Sequence, residues 1–458
     1  MTNDPTQRSQ LAEATDAYVF GYALIMMELT RRLQTNTEQP NATQAPVNQF
    51  CQHTTLPTPE MKDVVRPNLD TLYTQAWIDL SAGPLVLEVP VMDEGRYWLM
   101  QLMDAWSNTS EQSPSSITPL TAPNLDPTQD VQVYSYALTG PGWQGELPDG
   151  LQQVAFPTDT VWLIGRIELH DTSDAEVQTV TGYQDQMRLL PLDVWADGGD
   201  YTPPAGSYDP TLPTTPPSEA ITRLTGPEFF DELAALLTHT PLDPPDDRTS
   251  ALLAELGLHP YDADRLPDAE TLDLAKAAGL DAIEHHQGPT PVNGWTFMTT
   301  GIGTYGTDYP QRAYVASIGL GANLPQDALY PMTGNAATDG DGTPLAYTLT
   351  FPAGQLPPVN AFWSLTAYNS ASFLVDNPED IYAIGHFATP LTGTDGATTL
   401  HVQAEAPADP AMQAANWLPI PTSGTFTVTL RLYAPQTADL LPDWPPALTP
   451  VTPVTPEG

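Results

Sequence analysis

A chain of 458 residues is too long for one ordinary core, and 41% hydrophobic content with 10 Trp, 18 Tyr and 11 Phe excludes global disorder. Fifty-six acidic against 14 basic side chains give a net charge of -42. Such a surface repels phosphate backbones and anionic lipid, which argues against nucleic-acid and membrane partners. The acidity reads first as a solvation surface suited to a salty setting; the alternative is binding of calcium or another hard cation, which wants clustered carboxylates. Otherwise no cofactor is expected. Cys51 is alone and can form no internal disulfide. No run approaches 18 uninterrupted apolar residues, and the start, MTNDPTQRSQ, has no signal-peptide pattern. The expectation is a soluble protein, cytoplasmic or processed periplasmic or secreted. The 50 prolines, about twice the usual share, favour many turns and strand ends over long helices.

Residues 9–34 have the pattern of a helix that is apolar on nearly every face between Ala17 and Leu29, hence buried. From 64 to 170 the pattern turns to strands: LVLEVPV, RYWLMQLMDAW, VQVYSYALTG and DTVWLIGRIEL, separated by Gly- and Pro-rich turns. Residues 172–188 are polar-helical, and TPPAGSYDPTLPTTPPS at 202–218 is an extended linker or strap. Residues 219–287 predict three helices, with Pro227 opening the first and Thr249 or Ser250 capping the second. From 292 to 435 strands return, among them RAYVASIGL at 312–320, LAYTLTF, AFWSLTAY, TTLHVQAE and TFTVTLRLY. The tail after Trp444 is Pro-rich. The expected fold is mostly β with a helical insert, an α+β arrangement of two antiparallel β-sandwich or jelly-roll-like domains with a buried N-terminal helix and a helical connection. The expected boundaries are 1–200 for the first domain, 201–218 for the strap, 219–291 for the helical insert, 292–445 for the second β domain and 446–458 for the tail.

Common catalytic and nucleotide-binding motifs are absent: no GxSxG, no GxxxxGK[ST], no HExxH, and GIGTYG at 301–306 runs into strand-like sequence. His285, His286, His386 and His401 read as structural. The informative clusters are polar groups inside apolar, strand-like sequence. RPNLDTLY brings Arg66, Asn68, Asp70, Thr71 and Tyr73; Pro67 favours an extended Arg66, with Asn68 and Asp70 on one face. VNGWTFMTTGIGTYGTDYPQRAYV brings Asn293, Tyr305, Asp308, Tyr309 and Arg312. GLGANLPQDALYP adds Asn323 and Tyr330, and NWLP at 416–419 is a fourth cluster. Such groups either satisfy backbone ends at loop crossings or line a small-ligand pocket between the two β bodies.

RPNLDTLYTQAWIDLSAGPLVLEVP, RYWLMQLMDAWSNT, TGPGWQGELP and PTDTVWLIGR resemble the bacterial domain-of-unknown-function family 1254. VNGW, YGTDYPQRAYVASIGLGAN, LPPVNAFWSLTAYN, FLVDNPEDIYAIG, NWLPIP and LRLY resemble family 1214. The resemblance runs from about residue 10 to 445 and implies an N-terminal β domain, a helical connection and a C-terminal jelly-roll-like domain. It supplies no activity. Its polar motif positions fall on Arg66, Asn68, Asp70, Thr71, Tyr73, Asn293, Tyr305, Asp308, Tyr309 and Arg312. Many members carry an export signal, which this start does not show. The functional expectation is a hydrolase-type enzyme on a small polar or acylated substrate in a crevice between the β domains. Asp70 or Asp308 would be the base, Tyr73 or Tyr309 the proton donor and Arg66 or Arg312 the anion clamp. Arg66 is expected to pair with Asp70 or Asp308. The alternative is a non-catalytic jelly-roll protein that binds a ligand or builds a homo-oligomer.

Overall fold

Helix α1 (Pro5–Thr35) opens the computed structural model, which describes residues 5–62, 65–124, 131–437, 440 and 443–451. From Ala17 to Met27 every residue of α1 is buried. A helix that is apolar all round must be covered all round, and the helical connection does this. It comprises α4 (Pro217–Arg223), α5 (Gly226–Leu237), α6 (Asp247–Glu255), α7 (Ala269–Glu284) and α8 (Tyr309–Gly319), and their apolar sides share one core with α1.

The N-terminal β body contains β1 (Cys51–Gln52), β2 (Thr71–Asp79), β3 (Leu85–Pro90), β4 (Trp98–Asp104), β5 (Val133–Thr139), β6 (Gln152–Ala155), β7 (Thr160–Glu168) and β8 (Arg188–Pro191), with α2 (Asp174–Gln184) and α3 (Leu192–Ala196). Two sheets form, in the orders β1-β2-β7-β4 and β6-β5-β3-β8. Their inner faces, with Leu72, Ala76, Leu102, Leu163 and Ile167 on one side and Leu87, Val89, Tyr136 and Leu138 on the other, make one sandwich core. The C-terminal body contains β9 (Ala328–Leu329), β10 (Met332–Ala336), β11 (Ala346–Phe351), β12 (Trp363–Asn369), β13 (Ala383–Ile384), β14 (Thr398–Gln403), α9 (Pro410–Asn416), β15 (Trp417–Leu418), β16 (Thr425–Tyr433) and β17 (Thr449–Val451). Its sheets run β10-β16-β12-β13, with β9 also on β16, and β15-β14-β11-β17. Phe426, Val428, Leu430 and Leu432 of β16 point into this second core. Strand pairs are antiparallel except β5 with β6 and β14 with β15. The fold is the expected α+β one, mostly β, with four sheets among the described residues.

The Pro/Thr segment is an ordered strap. Gln49 donates to the Pro204 carbonyl at 2.8 Å, the Gly206 amide to the Glu38 carbonyl at 3.0 Å, and the Asp209 amide to the Asn36 side chain at 2.7 Å. In the tail, β17 pairs with β11 and Trp444 is buried; residues 452–458 lie outside the described residues.

Three local expectations are corrected. RAYVASIGL is not a strand: α8 occupies it. Asp308 caps that helix by accepting from the Gln311 amide at 3.2 Å, Pro310 sits in its first turn, and Arg312, Ala313, Val315 and Ala316 form one buried face. Burial against α1 overrides the strand-like composition. The cap of α6 is Asp246, not Thr249 or Ser250; its carboxylate accepts from the Arg248 amide. Arg66 is not extended: its φ is 51°, because the chain turns through residues 65–70 and enters β2 only at Thr71.

Gly226 opens α5 against α7. A Cβ there would lie 2.3 Å from the Leu272 carbonyl carbon and 2.4 Å from the Asp273 nitrogen, both backbone atoms that cannot rotate away. Gly226→Ala is expected to destabilise the protein by about 3 kcal/mol, read as a fall in the urea midpoint at unchanged slope. A neutral result would mean that α5 and α7 do not pack this closely.

Candidate functional site between the two β bodies

Strand alternation gives sheet β1-β2-β7-β4 a second, outer face carrying Thr71, Tyr73, Gln75 and Trp77 from β2, Trp162, Ile164, Arg166 and Glu168 from β7, and Leu99, Gln101 and Met103 from β4. At one end this face is apolar. Trp77 stacks on Trp162 at 4.8 Å, and Met27 of α1 and Leu320 cover them. At the other end it is polar, and sheet β10-β16-β12-β13 covers it with its own outer face: Thr429, Arg431 and Tyr433 from β16 and Ser364, Thr366 and Tyr368 from β12. Two polar sheet faces are thus pressed together into a largely buried seam, with Tyr73 and Tyr330 partly exposed.

Arg166 lies in this seam with 3% of its surface exposed. It donates to the Tyr330 hydroxyl at 3.0 Å and to Gln101 Oε1 at 2.8 Å, and its guanidinium sits 5.5 Å over the Tyr73 ring. Among the described residues its Nε has no partner, and it forms no ion pair. Arg431 donates to Thr366 at 3.1 Å, to the Tyr368 hydroxyl at 2.6 Å and to the Arg66 carbonyl at 3.2 Å, again without an ion pair. Asp70 is fully buried. Its Oδ2 accepts from Ser364 at 2.6 Å and from Tyr433 at 3.3 Å, while Oδ1 has no partner. Asn68 donates to Thr71 at 2.9 Å and to the Tyr73 hydroxyl at 3.1 Å. Asn323 donates to the Tyr330 hydroxyl at 3.1 Å, and its Oδ1 and Asp327 Oδ2 are unpartnered. A protein interior normally satisfies such atoms, so five in one region (Arg166 Nε, Asp70 Oδ1, Asn323 Oδ1, Asp327 Oδ2 and Thr429 Oγ1) set the seam apart. Two open clefts lie elsewhere: one of about 380 Å³ beside Phe50, Met187 and Arg188, another of about 310 Å³ beside Asn377 and Ile420.

Burial shifts the acids of the seam. Desolvation lifts Glu168 from 4.5 to about 7, against the Tyr97 amide and Arg96, which favour its charge. It lifts Asp327 to about 6, with Arg166 opposing. It also raises the phenols of Tyr330 and Tyr433, so both stay protonated at neutral pH. His386, 3.6 Å from Glu168 across the seam, is lowered by burial and stacks on Phe362 at 3.8 Å. Because the native state holds the Glu168 proton more tightly than the unfolded chain, this group favours folding fully below about pH 4.5 and loses that contribution as pH rises to about 7. Denaturation series between pH 4.5 and 8 should show stability falling with pH, and Glu168→Gln should flatten that slope. An unchanged slope would mean that Glu168 is ionised throughout.

Of the residues expected from sequence, Asn68, Asp70, Thr71 and Tyr73 meet at the seam. Arg66 does not pair with Asp70 or Asp308: its side chain is exposed, with Nη1 3.6 Å from Met332 Sδ, and only its backbone reaches the seam. Asn293 is exposed at φ 50° and holds the Asp443 and Pro445 carbonyls. Asp308 is the exposed helix cap. Tyr305, Tyr309 and Arg312 gather instead at the helical body. There Arg312 is 1% exposed, donates to the Phe20 carbonyl at 3.0 Å, and lies 4.7 Å over Trp106 and 4.9 Å over Tyr309. Burial lowers this arginine to about 10 and raises Tyr305 to about 12 and the nearby Asp104 to about 7. Tyr309 donates to Asp246 at 3.1 Å. The two clusters therefore do not converge on one crevice. No group of three or more His, Cys, Asp or Glu placed to hold a metal occurs among the described residues. No described helix is long and apolar enough to cross a membrane.

Sequence reading missed Arg166, Arg431, Gln101, Ser364 and Tyr433. The available signal was an arginine in the middle of an apolar strand, as in VWLIGRIEL and LRLY.

The same architecture is found in a solved structure, the VPA0106 protein from Vibrio parahaemolyticus, at 22% identity and a TM-score of 0.67, over 97% of this chain and 100% of that one. An uncharacterised protein from Burkholderia cenocepacia matches at 15% identity and a TM-score of 0.42, over 98% of this chain and 89% of that one. No curated protein matches. Residues 47–191 match the family described as protein of unknown function DUF1254, and residues 327–437 match that described as protein of unknown function DUF1214. These segments are the N-terminal β body and most of the C-terminal one, so the seam is where the two families' domains meet. The chain thus carries, in order, a segment that matches the DUF1254 family and a segment that matches the DUF1214 family.

Proposed function

We propose that the protein binds a small carboxylate-bearing molecule in the seam between its two β bodies, with Arg166 as the counter-charge. One observation carries this reading: Arg166 is buried and, among the described residues, has no ion pair and leaves Nε unpartnered. Burying a guanidinium without an anion costs several kcal/mol, and a carboxylate at Nε would remove that cost through a charge-assisted hydrogen bond. The phenols of Tyr73 and Tyr330 adjoin the same guanidinium.

Hydrolysis of a small acylated substrate is a second reading, favoured by the Ser364 hydroxyl donating to Asp70 across 2.6 Å. In that reading Asp70 is the base and Tyr73 the proton donor. Binding without turnover needs neither role.

Melting temperature with acetate, propionate and butyrate, against the matching neutral amides at equal ionic strength, tests the binding. The carboxylates should raise the melting temperature in proportion to the logarithm of their concentration, and the amides should not. Equal, flat responses to both series contradict the reading.

A further inference from the structure

We propose that the molecule held in the seam carries, besides its carboxylate, a protic donor (a hydroxyl or an amino group) that it gives to Asp70. This rests on the binding reading above and narrows its ligand to small hydroxy or amino carboxylates.

Donors and acceptors in the seam do not balance. Arg166 Nε offers a hydrogen and receives no acceptor. The Tyr330 hydroxyl takes hydrogens from Arg166 and Asn323, and its own has no acceptor. The Tyr73 hydroxyl takes one from Asn68 and likewise has its own to give. These three donors suit a carboxylate, which accepts at two oxygens and offers nothing. A simple carboxylate would leave the other half of the seam as it is. Asp70 Oδ1 is a buried carboxylate oxygen without a donor, while its Oδ2 is already served by Ser364 and Tyr433. Asp327 Oδ2 is in the same state. Rotating the Asn323 amide would let its Oδ1 accept the Tyr330 hydrogen and leave its Nδ2 over, so Arg166 Nε and the Tyr73 hydroxyl are the donors that remain in either orientation, and Asp70 gains nothing. Asp70 belongs to the same network as Arg166, because Tyr433, which donates to Asp70, packs on Tyr330 with ring centres 6.4 Å apart. A ligand with acceptors only satisfies Arg166 and leaves Asp70 Oδ1 unpaired; a ligand with both kinds of group can satisfy both.

Calorimetric titration of the full chain with lactate, alanine and propionate separates the outcomes. Lactate or alanine should bind at least tenfold more tightly than propionate, and Asp70→Asn should reduce that ratio while propionate affinity changes little. Equal binding of all three overturns this inference and leaves the binding reading standing. Binding of none overturns both. The ratio in the wild-type protein decides the matter even where Asp70→Asn does not fold.

Discussion

Arg166→Met is expected to abolish carboxylate binding while leaving the ligand-free protein folded and nearly as stable. Methionine fills much of the volume with a flexible apolar chain. The substitution takes away a buried charge that has no ion pair, a change that is often neutral or stabilising. Against that, Gln101 Oε1 and the Tyr330 hydroxyl each lose a donor, at about 1–3 kcal/mol for each group left unsatisfied. Tyr330 keeps Asn323 as a donor, and the Gln101 amide nitrogen keeps Thr109 and the Gly321 and Ala322 carbonyls. The net change in unfolding free energy should therefore stay within about 2 kcal/mol. Carboxylate affinity should fall about 100-fold, or about 2.7 kcal/mol. The opposite pattern, a strongly destabilised protein with an intact ligand response, would make Arg166 a scaffold residue.

Salt should have the second large effect. A net charge of -42, with Lys62 and Lys276 as the only lysines, leaves most surface carboxylates without a cation. Among the described residues, the ion pairs of Arg32, Arg96, Arg188, Arg223 and Arg265 engage only a few of the acids. Self-repulsion of this kind weakens the compact state and is screened over about 10 Å at 0.1 M and 3 Å at 1 M salt. Raising monovalent salt from 0.05 to 1 M should raise the melting temperature by roughly 10 °C, with sodium and potassium acting alike. A response specific to millimolar calcium would instead indicate a discrete cation site.

Much of the fold was legible along the chain. The long strands of both sandwiches follow from runs of aromatic and β-branched residues between Gly/Pro turns, and α1 follows from an apolar run too long for a strand. What failed locally failed for a physical reason. YPQRAYVASIG has strand-like residues, yet Asp308, Pro310 and burial on α1 make it helical. RPN reads as extended, yet Arg66 turns at positive φ so that its carbonyl can meet Arg431.

The seam was only half legible. Asn68, Asp70, Thr71 and Tyr73 stood out because they are polar in one short apolar stretch. Their partners come from β4, β7, β12 and β16, and those on β12 and β16 lie 294 and 363 residues further on. In TFTVTLRLY the alternation places Thr429, Arg431 and Tyr433 on a face that periodicity alone assigns to solvent. That a second sheet covers this face is a property of how the two domains meet, and no local pattern carries it. Arg312 was read into the same crevice because nothing in the sequence distinguishes a seam from a helical core.

The most direct test is the electron density around Arg166 in crystals grown with acetate. A carboxylate within hydrogen-bond distance of Arg166 Nε, enclosed by Tyr73 and Tyr330, is the predicted result. An Arg166 whose Nε meets a protein oxygen or a lone water, with no acetate in the seam, would contradict the account.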